Sequence, residues 1–218
     1  MTTVAPRPFS PWLIQGGMGI AISGWPLARA VARAGQLGVV SGTAIDAVFV
    51  RRLQNEGVSD ALRAVLDRFP LQSIVERVLH QFAQTRRAVS DAYQNLVMLT
   101  HRSGEHALDL LVLASYAEVA LAKDGHDGKV GMNLLTKVQV PTAPTLMGAI
   151  LADADYIVMG AGVPTHIPGT LANLAAGEPV EMPLDVVGPE ASTPSTSWSS
   201  PPTPKSPSPR PATTARLA

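Results

Sequence analysis

The stretch "IQGGMG" sets Gly16, Gly17 and Gly19 around Met18, directly after a short apolar run. Glycines so spaced serve two chemistries. Main-chain N–H groups can cradle a phosphate at a turn that opens a helix, or a backbone without side chains can lie against a flat ring. They also make ordinary strand-to-helix turns, and spacing alone leans towards that plainer use. Asn133, in "GMNLL", is the second candidate, because a carboxamide both donates and accepts hydrogen bonds. An asparagine closing a strand equally caps a turn. Lys137 follows the same strand and could reach an anion, with a surface lysine as the competing reading. His101 and His106 lack the i,i+4 spacing of a helical zinc pair, and the chain has no cysteine to complete such a site. His126 and Asp127 precede a strand, while Asp153 and Asp155 separate a helix from the next strand, where turn chemistry accounts for them.

The elements that would position these residues follow a rhythm. "PWLIQ" reads as a buried strand, followed by the glycine loop and a helix with Pro26 in its first turn and Leu27, Ala30, Val31 and Ala34 on one face. "LGVVSG" reads as a second, all-apolar strand of the parallel-sheet kind. Successive helices follow in "AIDAVFVRRLQ", "VSDALRAVLDRF", "LQSIVERVLHQF" and "HALDLLVLASYAEVALAKDG", the last closing at Gly125. A third strand, "KVGMNLL", leads to the helix "TLMGAILADA", and a fourth, "YIVMGAG", to "PGTLANLAAG". Alternating strands and helices predict a parallel α/β architecture with a helical insertion after the second strand.

Composition bounds the function. The 218 residues are 46% hydrophobic with balanced charge, enough for one sizeable core and without the basic excess that nucleic acid or an anionic membrane would select. The first residues lack the apolar core of a signal peptide, and the richest apolar run, "LDLLVLASYAEVALA", is broken by Glu118. A cytoplasmic protein is expected.

Two folds share this rhythm. A dinucleotide-binding Rossmann unit needs a third glycine where Ile22 stands, a helix opening at the turn rather than near Pro26, and an acid closing the second strand, which instead ends "SGT". A (βα)8 TIM barrel asks for functional residues at successive strand ends, here "QGGMG", "SGT", "MNLL" and "MGAG". Small residues there leave room for a flat ring system.

Taken together, "IQGGMG", "GWPLARAVARAGQLGVVSGTAID", "KDGHDGKVGMNLLTKVQVPTAPTLMGAILADADYIVMGAG" and "PTHIPGTLANLAAGEPVEMPLDV" resemble the nitronate monooxygenase (2-nitropropane dioxygenase) family, whose members are FMN-dependent TIM barrels. The resemblance implies an incomplete barrel of about four strands over residues 1–188, with FMN as cofactor and small-molecule substrates: an alkyl nitronate or a related carbanion-like compound, and O2. It implies that the loop Gly16, Gly17, Met18, Gly19 lies against the flavin ring and that Asn133 contacts FMN. It assigns no catalytic residue within this chain and no metal. Flavin-dependent enoyl reductases of fatty-acid and polyketide pathways share the barrel and are the alternative, as is a non-enzymatic fragment.

The pattern breaks at about Pro189, where "PEASTPSTSWSSPPTPKSPSPRPATTARLA" reads as a disordered Pro/Ser/Thr-rich tail over 189–218. The abruptness suggests a shifted reading frame replacing the second half of a barrel. Four strands of eight would leave both sheet edges unpaired, so self-association through open edges and loss of nitronate oxidation are expected of this chain.

Overall fold

The computed structural model describes residues 9–84, 88, 91–94, 96–185 and the backbone of 195–198. Helix α1 (Trp25–Arg33) leads to strand β1 (Gly38–Ser41), and four helices follow: α2 (Ile45–Glu56), α3 (Asp60–Leu66), α4 (Gln72–Phe82) and α5 (Glu105–Lys123). Strand β2 (Val130–Leu135), helix α6 (Thr142–Leu151), strand β3 (Tyr156–Gly160) and helix α7 (Ile167–Ala176) continue the alternation, and β4 (Val180–Pro183) and β5 (Ser195–Trp198) close it. The chain is thus an α/β protein around a three-stranded, all-parallel sheet in the order β1-β2-β3.

Alternation along the strands divides the side chains between two faces. Val40, Val130, Met132, Leu134 and Ile157 turn to one face and join a continuous apolar core with α1, α5, α6 and the insertion helices. Val39, Ser41 and Asn133 turn to the other. Helix α5 is the spine of the helical layer, touching α1 through α4 on one side and α6 on the other. Its apolar surface runs nearly all round, as a helix buried between others requires. At Gly148 the backbones of α5 and α6 come so close that a Cβ would stand 2.2 Å from the Val112 carbonyl oxygen, so only glycine fits this crossing.

Two charged groups inside this layer are paired. Glu118, the acid that interrupts the apolar run of α5, binds Arg52 of α2 and accepts the Trp25 N–H at 2.9 Å. Arg77 of α4 similarly binds Asp109 of α5. Asp155, just before β3, takes Lys129 at 2.7 Å, Lys123 at 3.0 Å and the Val130 N–H at 3.0 Å.

Three features differ from the sequence expectations. "PWLIQ" is not a buried strand: its ladder is a single parallel bridge, Ile14 to Leu37, and Trp12, Leu13 and Ile14 are exposed. An apolar run carries the signature of burial only where something lies over it, and no described strand flanks its outer edge. In α1 the buried positions are Ala28 and Ala32, while Leu27 points outward. The small residues bring the helix close to the sheet at Gly38. Finally, β4 and β5 form an antiparallel pair that the sequence reading left unassigned. Ser195–Trp198, within the span expected to be a disordered tail, is the second strand of this pair, and the rest of 189–218 lies outside the described residues. Among the described residues no helix is long and apolar enough to cross a membrane.

Candidate functional site at the carboxyl ends of the parallel strands

The outward edge of β1 shows how the site is built. Strand β1 sends alternate N–H groups to β2 and the intervening ones outward. The Leu37 N–H donates to the Leu13 carbonyl at 3.3 Å, the Val39 N–H to Gln15 Oε1 at 3.2 Å and the Ser41 N–H to the Ser23 carbonyl at 2.8 Å. The bridged segment around Ile14 therefore begins the pairing, a side chain continues it and a loop carbonyl completes it. Between Gln15 and Ser23 the chain is free to leave the ladder and fold over the sheet face that the helices do not cover.

That excursion is the glycine loop. Gly17 is buried with φ of +64°, a conformation that glycine adopts without strain, and a Cβ there would stand 2.4 Å from Val39 Cγ1 and 2.9 Å from Asn133 Cβ. Gly16 is exposed, and its carbonyl accepts a 2.8 Å hydrogen bond from Asn133 Nδ2, across 117 positions of sequence. Met18 lies over the same place, with Sδ 3.5 Å from Asn133 Nδ2 and close to Gly160 at the end of β3. Gly19 begins the turn that returns the chain to Ser23. The four loop residues and Asn133 are thus one cluster at the strand ends, and the glycine at 17 has a reason within the chain itself.

At the ends of β2 and β3 lies a cavity of about 350 Å³ whose lining includes Lys137, Met159, Val163, His166 and Met182. This is within the size range of small-molecule sites, and it lies where open parallel sheets bind their ligands. Lys137 and His166 are exposed at its rim, and the amino terminus of α7 opens onto it. Gln139 and Asp185 close one side through a reciprocal pair of 2.8 Å hydrogen bonds.

The remaining candidates have structural employment or none. His101 and His106 are exposed on a turn and at the start of α5. His126 bonds the Ala122 carbonyl through Nε2 at 2.7 Å and accepts the Gly128 N–H at Nδ1 at 3.0 Å, which closes the end of α5. Asp127 is exposed. Asp153 is almost fully exposed at φ of +56°, whereas Asp155 anchors the turn before β3. Burial alone would raise the Asp155 pKa, but hydrogen bonds from Lys129 and Val130 and the charge of Lys123 outweigh it and hold the carboxyl below its ordinary range. Near the strand ends, burial pushes the Asp46 carboxyl up, against the pull of its hydrogen bond from the Ala47 N–H. Among the described residues no group of three or more His, Asp or Glu side chains could hold a metal ion.

Two residues missed by the sequence reading belong to the site. Ser41 is 5% exposed, pairs in register with Asn133 on the same face, and its Oγ has no hydrogen-bond partner. Gln15 is fixed by the Val39 N–H through Oε1, which leaves a buried Nε2 likewise without a partner. Buried polar groups are nearly always satisfied, so two orphans beside one loop mark a place suited to a polar ligand edge. The "SGT" at the second strand end was the available signal. A flavin ring fits this donor set in kind: exposed backbone at Gly16, a carboxamide at Asn133, and unpaired donors at Ser41 and Gln15. Comparison of the chain with family models, curated proteins and solved structures finds no match.

Proposed function

We propose that the chain carries an arc of a flavin barrel, and that it binds FMN at the strand ends as a nitronate monooxygenase does. The observation that carries this reading is the meeting of the glycine loop with Asn133, two motifs remote in sequence that the family resemblance named together. The consecutive parallel order β1-β2-β3 is compatible with an arc of a barrel, as it is with one half of a doubly wound sheet. In this reading Gly16 and Met18 offer a surface to the ring, and Asn133 holds the loop over the sheet and meets the ring's polar edge. Gly16, Met18 and Asn133 would hold FMN, which would supply the redox chemistry that converts a nitronate and O2 to a carbonyl compound and nitrite. The protein orients the reactants and excludes water.

The test is spectroscopic first and catalytic second. Flavin fluorescence should be quenched on titration with the chain, and Asn133→Leu should weaken that binding. Oxygen uptake with an alkyl nitronate would support the monooxygenase reading and overturn the expectation that this chain has lost that activity. Oxidation of a reduced nicotinamide with an enoyl thioester would move the assignment to the enoyl reductases, and an absence of flavin binding would overturn both.

A second reading has its own observation. Trp12, Leu13, Ile14, Met18, Ile20 and Ile22 are all exposed within one short segment, beside a sheet edge whose ladder is a single bridge. Apolar surface of this kind favours a non-enzymatic, self-associating chain.

A further inference from the structure

The unpaired atoms of Gln15 and Ser41 can both donate. An amide nitrogen is a donor only, and a serine hydroxyl, which can also accept, has its one proton to give. Gln15 cannot turn its amide to exchange the roles, because Oε1 is held by the Val39 N–H at 3.2 Å. Ser41 Oγ accepts from neither adjacent backbone N–H: its own is committed to the Ser23 carbonyl and the next, of Gly42, to the Asn133 carbonyl, each at 2.8 Å. Gln15 Nε2 and Ser41 Oγ are thus two buried groups without partners, one on the residue bonded to the Val39 N–H and the other two positions beyond Val39.

We infer that Ser41 Oγ and Gln15 Nε2 form a donor pair that receives the acceptor edge of the bound ring, a carbonyl oxygen or an unprotonated ring nitrogen of a heterocyclic dione. The inference rests on the flavin reading and names the part of the ring that these two residues recognise. It also gives the loop a role in entry. The ring reaches the pair when the loop lifts, which breaks the Asn133 bond to Gly16 and parts Gly17 from Val39. Both residues are positioning residues, since neither is asked to exchange a proton.

The experiment compares the full 218-residue chain with Ser41→Ala and Gln15→Leu. Each is titrated with riboflavin and with FMN by fluorescence quenching, and each is melted without ligand. Each variant should bind both flavins about tenfold more weakly than the parent, the worth of one buried hydrogen bond. Ser41→Ala should melt at the same temperature as the parent or higher, because it removes an unsatisfied group; a hydroxyl with an internal partner would lower the melting point and overturn the inference. Equal flavin affinity in parent and variants would overturn the donor pair while leaving the flavin reading intact. Failure of the parent to bind either flavin would overturn both.

Discussion

Gly17 and Val39 are packed so that no side chain can grow between them: a Cβ on Gly17 would lie 2.4 Å from Val39 Cγ1, and Val39 is itself wholly buried. The contact joins a loop of positive φ to the middle of β1. Gly17→Ala should therefore destabilise the ligand-free chain by about 1–3 kcal/mol, from overpacking and the cost of φ near +64° together. Urea unfolding measures this, and a variant as stable as the parent would show that the loop does not rest on the sheet.

Glu118 and Arg52 provide a second test. Glu118 is 1% exposed, so Glu118→Leu strands a mostly buried guanidinium and should cost about 3 kcal/mol. Replacing both partners with leucine should cost less than the single change, since no unpaired charge remains. A denaturation series on the two variants decides it; a double variant weaker than the single would contradict the pairing.

The pH dependence of Asp155 has a definite sign. Its folded pKa is depressed below the ordinary 3.8, so its stabilisation is present above that value and is lost as pH falls through the lowered one. Asp155→Asn should lose about 1–2 kcal/mol at neutral pH, as expected for a few charge-assisted hydrogen bonds partly screened by solvent. The gap between parent and variant should narrow below pH 3.8. Paired thermal melts at several pH values would show a constant gap if the carboxylate were unperturbed.

Exposure along the amino-terminal segment predicts association. Trp12 is 85% and Ile22 77% exposed, and the chain's mass is 22.9 kDa. Light scattering should give a larger mass, and Trp12→Asp with Ile22→Lys should return it towards that of one chain without loss of helical signal. A parent that elutes as a single chain at high concentration would remove the reading.

How much of this was legible in the sequence depends on the kind of signal. Helices α2 to α4 follow apolar periodicity, α5 and α6 are long apolar runs buried nearly all round, and β1, β2 and β3 follow short apolar runs between helices, so local pattern sufficed. The first strand segment failed because an apolar run looks the same with or without a neighbour to cover it. Helix α1 turned the other way because close packing selected Ala28 and Ala32 over the larger Leu27. The cluster of Gly16–Gly19 with Asn133 was visible only through resemblance, since nothing local joins positions so far apart. The strand ends "QGGMG" and "SGT" placed Gln15 and Ser41, but their lack of a hydrogen-bond partner has no signature in a sequence; it exists only once every neighbour has been placed.

The completion of the β1 edge by a side chain and a loop carbonyl makes two backbone amides into built-in reporters. The Val39 N–H is guarded by Gln15 and the Ser41 N–H by Ser23, the residues that bracket the glycine loop. Their exchange with deuterated solvent is therefore gated by opening of the loop, whereas the Gly38 and Gly42 amides, bonded towards β2, exchange only when the sheet itself parts. The two pairs of amides alternate along one strand, so a single peptide carries both clocks, and the difference between them reads the free energy of lifting the loop with no ligand present.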